Sequence, residues 1–237
     1  MIHSDDLDDR LVQALGADLT PVHRLAPPGL RVLMWLSILG AVALALAMVS
    51  DVGAMIRRLM AAPDLWLAAM GSMLTAVFAA IAVFELSLPD RKATWALLPL
   101  PALVLWISAS GMGCLRAWSV SEAYPMPPGQ TEHCLFFILG VSLPLSLLLI
   151  VMLRRGFSLH PNLTAIIGGL ACASAAATLL NLIHPYDAAA TDLAIHAFAV
   201  VIAILANAVF GGRILMSNTR LTASYNAGLL PSGVLIH

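Results

Sequence analysis

The sequence predicts an all-α membrane protein with six transmembrane helices, both termini cytoplasmic, and a short N-terminal amphipathic cytosolic helix. Three observations carry that expectation. Apolar residues make up 60% of the 237 and charged residues 11%, at a mean hydropathy of +0.92, far from the balance of a soluble domain. Six uncharged apolar stretches each approach the roughly 20 residues that a bilayer core of about 30 Å requires. Lys and Arg are divided unevenly among the segments joining them.

The six stretches are Val32–Ser50, Leu65–Phe84, Trp95–Gly113, Leu135–Leu153, Asn162–Ile183 and Leu193–Gly212, and none contains Asp, Glu, Lys or Arg. One such residue at a helix centre costs about 2.5–3.5 kcal/mol on insertion scales, so their absence from all six is a strong signal. The fifth stretch, "IIGGLACASAAATLL", is rich in Gly, Ala and Ser, which permit close helix contact and place it inside the bundle. With the N-terminus inside, the cytoplasmic segments hold Arg10, Arg24, Arg31, Arg91, Lys92, Arg154, Arg155, Arg213 and Arg220. The outer loops keep only Arg57, Arg58 and Arg116, so the positive-inside rule puts both termini in the cytoplasm. No basic start with an early apolar run precedes the first stretch, which therefore reads as an anchor and not as a cleaved signal.

Residues 1–31 form a cytosolic arm, 32–216 the transmembrane domain and 217–237 a short cytosolic tail. Ser4 is a candidate N-cap for a helix whose first turns hold Asp5, Asp6, Asp8 and Asp9, which suit the positive end of the helix dipole. Leu7, Leu11, Val12 and Leu15 share one face of that helix. Gly16 is a stop, and Pro21, Pro27 and Pro28 are expected to prevent the helix from continuing into the membrane, leaving "LAPPG" as a stiff spacer.

The chain lacks the signatures of an enzyme. It has no HExxH, P-loop or nucleophile elbow, and "GMGCLR" at Gly111–Arg116 has neither the third glycine nor the preceding strand of a dinucleotide site. The spans hold no paired carboxylates, which argues against a proton-coupled pump. A small-molecule or metal transporter, or a membrane sensor with the arm only a tail, is the rival class. Such a transporter needs a polar path at mid-membrane, for which Asn181 and Asn207 are poor candidates.

One polar cluster is expected near the outer surface: Cys114, His133, Cys134, His184, Asp187 and His196. Imidazole and thiolate suit soft and borderline metals, and thiols are also what oxidants attack. A metal there and a redox role both stay open, as does a Cys114–Cys134 disulfide in an oxidising compartment. The spacing matches no particular metal site, and no cofactor is otherwise expected. Cys172, mid-span among Ala and Ser, reads as a packing residue.

The arm has two candidate surfaces to meet. Amphipathic helices that lie on membranes carry Lys and Arg on the polar face, whereas this one carries aspartates, which an anionic leaflet repels. A soluble protein with a basic surface fits better, docked by the leucine face in a groove. Three or four buried Leu or Val side chains contribute about 1.5–3 kcal/mol each, while ordering a loose segment costs about 2–5 kcal/mol. The net is a contact of micromolar class.

The acidic "DDLDDRLVQALGADLTPVHRL" arm ahead of six spans resembles the NrsF-type membrane anti-sigma factors of proteobacteria. So do "RRG" at Arg154–Gly156, "HP" at His160-Pro161, and the turn "LIHPYD" at Leu182–Asp187, the resemblance running from residue 5 to about residue 216. It implies a protein that holds an extracytoplasmic-function (ECF) sigma factor at the inner membrane and releases it under stress, without itself touching nucleic acid. In such proteins a Cys stands at the outer end of span four, matched here by Cys134, and a second precedes the Pro of the turn after span five. His184 occupies that second position, a departure from the two-thiol switch of the family that leaves a mixed Cys/His metal site open.

Cys134→Ser is expected to leave basal sequestration intact and abolish induction, with His184→Ala sharing the phenotype and the double variant no worse than either. Cys172→Ala should induce normally. Reporter transcription under inducing stress checks this, and the opposite pattern would move the sensing site into the bundle.

Overall fold

The computed structural model describes residues 10, 12–13, 26–61, 63–119, 130–154, 156, 158–183 and 190–214. Among the described residues every regular element is helical: α1 (Pro28–Val49), α2 (Val52–Ala61), α3 (Pro63–Leu86), α4 (Leu100–Ser119), α5 (Gln130–Leu153), α6 (Pro161–Ile183) and α7 (Ala190–Ala206). A 3-10 turn, Ala93–Leu97, leads into α4, and a π-helical turn, Asn207–Gly211, continues α7. Six segments are long and apolar enough to cross a membrane, with mean hydropathies between 1.6 and 2.7. Each overlaps its predicted stretch and shifts at its ends by a few residues. The start of α1 meets the ends of α3 and α5, a region called the proximal end below; the opposite end is distal.

Two differences from expectation have simple causes. The first helix starts at Pro28, four residues before the predicted Val32: Pro28 occupies the first turn of α1, where a missing N–H leaves no bond unmade. The Pro27 carbonyl accepts from the amides of Leu30 and Arg31 at 3.0 and 3.3 Å. Arg31 is therefore inside α1 and not in the arm. The second difference is α2, which occupies a stretch expected to be loop. Val52, Met55, Ile56, Leu59 and Met60 recur at helical spacing, and the Asp51 carboxylate accepts from the Ala54 amide at 2.8 Å, as an N-cap does.

The fifth segment lies in the interior, as its composition predicts: 78% of it is buried, against 11% of the first. Small residues let the backbones meet. A Cβ on Gly169 of α6 would stand 2.9 Å from the Ile204 Cα of α7. A Cβ on Gly71 of α3 would stand 2.7 Å from both the Cα and the N of Trp106 in α4. Around these seams Ala76, Ala79, Ala80, Val83, Leu149, Ala171 and Cys172 form the main core. Several buried or part-buried Ser and Thr hydroxyls return to their own helix, as Thr75 Oγ1 does to the Gly71 carbonyl at 2.7 Å and Ser174 Oγ to the Leu170 carbonyl at 2.6 Å, which offsets the cost of burying them.

α1 stands apart. Its buried residues are Arg31, Val32 and Trp35, all in the first two turns. Toward its other end Leu44, Met48 and Val49 are exposed. The helix that follows the arm is thus docked at its proximal end.

Gly71→Ala is expected to cost about 1–3 kcal/mol, because the added methyl meets backbone that cannot rotate away. Gly40→Ala is the control: a Cβ there meets nothing within 4 Å, so stability should hold or rise by up to about 1 kcal/mol. Thermal unfolding of the purified protein in detergent checks both.

Candidate functional site

Most of the predicted site residues lie outside the described residues. This holds for Asp5, Asp6, Leu7, Asp8, Asp9, Leu11 and Leu15 of the arm. Val12 is described, helical beside Arg10 and Gln13, and 67% exposed. Of the outer cluster, His184 and Asp187 are likewise outside. Cys114, His133, Cys134 and His196 have helical backbone, and the bounds of α4, α5 and α7 put all four toward the distal end. Their side chains are outside the described set. Among the described residues no three His, Cys, Asp or Glu side chains gather as a metal would need. Cys172 is a free, buried thiol, packed in the core with α3 and α5 residues, in keeping with its reading as a packing residue.

The structure does assemble a polar site, at the proximal end, where α1 begins. Its logic starts from helix termini. The last four carbonyls of any helix have no partner within it, and each must find one elsewhere. At the end of α3 all four do. The Val83 carbonyl accepts from the Ser87 amide and the Glu85 carbonyl from the Leu88 amide, both at 3.1 Å. The Phe84 carbonyl accepts from the Ser87 hydroxyl at 2.6 Å, and the Leu86 carbonyl from the Ser158 hydroxyl at 3.0 Å. At the end of α5 the Ile150 carbonyl accepts from the Arg154 amide at 2.9 Å and the Leu153 carbonyl from the Gly156 amide at 2.8 Å.

Arg31 completes the set. One Nη donates to the Met152 carbonyl at the end of α5, and the other to the Ser87 hydroxyl at 3.1 Å. Its guanidinium lies 4.9 Å from the centroid of the Phe84 ring. The side chain is only 4% exposed, and among the described residues no carboxylate forms an ion pair with it. Two other things offset that burial. The negative ends of the α3 and α5 dipoles both face the cation, and a desolvated cation over an aromatic ring gains about 2 kcal/mol. Trp35, one turn further along α1, is fully buried on the same side.

The connection from α5 to α6 closes over this point. A Cβ on Gly156 would stand 2.8 Å from the Ser87 carbonyl, so only glycine lets the backbone pass. The Ser158 hydroxyl also meets Thr164 Oγ1 at 2.8 Å, and Thr164 Oγ1 donates to the His160 carbonyl at 3.0 Å. Gly156 and His160 are therefore parts of one capped junction. Nearby, Glu85 pairs with Arg91 at 3.0 Å.

Two further contacts were not anticipated from the sequence. In the bundle the buried Asn207 amide donates to the Ser146 hydroxyl at 2.8 Å and to the Ala203 carbonyl at 2.9 Å. It opens the π-helical turn in which the Gly212 amide reaches back five residues to the Asn207 carbonyl. Toward the distal end, Arg58 of α2 donates to the Asn181 carbonyl near the end of α6 at 2.9 Å. A helical period in residues 52–60 could have disclosed α2. Nothing in the local sequence separates Arg31 from an ordinary flanking arginine.

The fold and this junction define a class: a helical bundle of segments able to cross a membrane, with an N-terminal extension rooted on the bundle's polar rim. The chain belongs to the family described as negative regulator of sigma F (NrsF), whose model matches residues 15–216. That is a family of regulators and not of enzymes, and its name marks a sigma factor as the thing regulated. Leu15 is the first matched residue, so the acidic cluster, Leu7, Leu11 and Val12 precede the matched region. Neither the curated proteins nor the solved structures yield a match to the chain.

Proposed function

We propose that this protein is a membrane-embedded anti-sigma factor whose N-terminal arm sequesters an ECF sigma factor at the cytoplasmic face of the bacterial inner membrane. Family membership over residues 15–216 is the observation that carries the reading. Six segments able to cross a membrane support the embedding, and the uneven distribution of Lys and Arg supports a cytoplasmic proximal end. With the first helix beginning at Pro28, the arm comprises residues 1–27 and residues 217–237 form a tail.

In this reading Leu7, Leu11, Val12 and Leu15 enter a groove on the sigma factor, while Asp5, Asp6, Asp8 and Asp9 face its basic surface and steer encounter. Sigma factors present basic surfaces to DNA, so an acidic arm competes for them, and the regulator needs no nucleic-acid contact of its own. Stress acts at the distal face. There Cys114, His133, Cys134, His184, Asp187 and His196 are the candidate sensing groups, by thiol oxidation or by binding a metal ion.

Leu11→Asp with Leu15→Asp should abolish sequestration while leaving membrane insertion unchanged, because the bundle is untouched. Losing two buried leucines removes about 3–6 kcal/mol of contact, more than a micromolar-class complex can spare. Sigma-dependent transcription should then run constitutively at normal regulator levels, measured with a promoter reporter and membrane immunoblots. Persistent repression with normal levels would refute helix-in-groove recognition.

A further inference from the structure

We infer that Arg31 is the positioning residue for partner recognition: it fixes where, and in which direction, the arm leaves the bundle. The inference rests on the proposed anti-sigma reading and adds to it a residue outside the arm. Three observations converge on it. The buried residues of α1 are Arg31, Val32 and Trp35, with Leu36 and Leu39 partly buried against the core, so the helix that bears the arm is held near its proximal end and less beyond it. Among those three, Arg31 alone makes directional bonds, and it makes them to two different helices, through Ser87 after α3 and Met152 in α5. Four residues separate it from Pro27, which is exposed and precedes the first turn.

The alternative role for an arginine at this position is topological. Such a side chain extends along the helix toward water and headgroups, and its charge alone matters. Arg31 does the reverse. It turns inward, is 4% exposed, and stacks on Phe84. Burying it is costly for the bundle, and an apolar side chain of similar length avoids that cost but leaves the Met152 carbonyl without its donor. What that replacement would lose is the definition of direction: a guanidinium fork with a ring beneath it accepts one orientation, whereas apolar packing accepts several. A root held in one orientation fixes the point and direction at which the chain enters α1 at Pro27, so less freedom is lost when the partner binds.

The test compares Arg31→Met, Arg31→Lys and Phe84→Leu with the wild type, each as the full chain in nanodiscs. The binding probe is the purified sigma factor that co-purifies with the wild-type protein. Hydrogen exchange of residues 30–36 reports the root, and the melting temperature of the bundle reports its integrity. Arg31→Met should melt within a few degrees of wild type, exchange at least about tenfold faster over residues 30–36, and bind about tenfold more weakly. Arg31→Lys keeps the charge but cannot form the fork or stack as Arg does, so it should fall between the two; full recovery with Lys would make the role one of charge alone and overturn the inference. Phe84→Leu leaves the arginine in place and repeats the test should Arg31→Met fail to fold. Unchanged or tighter binding in variants whose root exchanges faster overturns the inference, and so does unchanged exchange in Arg31→Met. If no sigma factor accompanies the wild type, the anti-sigma reading itself fails and this inference goes with it. That outcome is distinct from one in which the wild type binds and the variants bind equally well.

Discussion

Arg31 lies where two helices end, and the need to satisfy those ends governs the proximal side of the molecule. A peptide group taken out of water without a partner costs about 1–3 kcal/mol in proteins and more in hydrocarbon. α3 and α5 both finish there, and side chains from three separate segments supply what their own backbones lack: Ser87, Ser158 and Arg31. The guanidinium needs no carboxylate because the orphaned carbonyls are its counter-charge. Conversely, the end of α5 needs a donor from outside its own hairpin, and α1 provides it. Each deficit answers another, so the junction holds as a unit.

The rest of the bundle obeys a different constraint. Apolar side chains gain little by leaving lipid for protein, so close packing decides which helices meet. Gly71 against Trp106 and Gly169 against Ile204 let helix backbones approach to contact, and α6 occupies the middle because its small residues allow neighbours on several sides. α1 has no such seam. Its outward-facing residues beyond the first turns suit lipid as well as they suit protein, which leaves its place in the molecule dependent on the Arg31 contacts and on the apolar packing of Val32, Trp35, Leu36 and Leu39 near one end.

Family membership adds the biological partner that physics could only outline. The family name supplies a sigma factor. The match begins at Leu15, so it covers the bundle and the later part of the arm. The case for the first part of the arm rests on its own amphipathic pattern. The division suits a common chassis that presents a short segment adapted to a particular partner.

The sequence by itself determined the number of crossing segments, the class of the fold and the central place of the fifth segment. These follow from apolar run length and from residue size, which are local properties and survive without knowledge of neighbours. α2 was expected as loop, although the period of its apolar residues carries a helix. The arm's leucine face and the distal Cys and His residues were legible as candidates, because side-chain chemistry at fixed spacing can be read directly. Only the tertiary structure decided the role of Arg31. In the sequence it is one more cation beside an apolar run, indistinguishable from Arg24 or Arg213. Its partners, Ser87 and Met152, stand 56 and 121 residues away, and a bond across that separation exists only once folding has brought three helix ends together. Asn207 and Ser146, 61 residues apart, are a second case. Each is unremarkable alone in an apolar span, and burial makes them a pair because neither can leave its polar atoms unmatched.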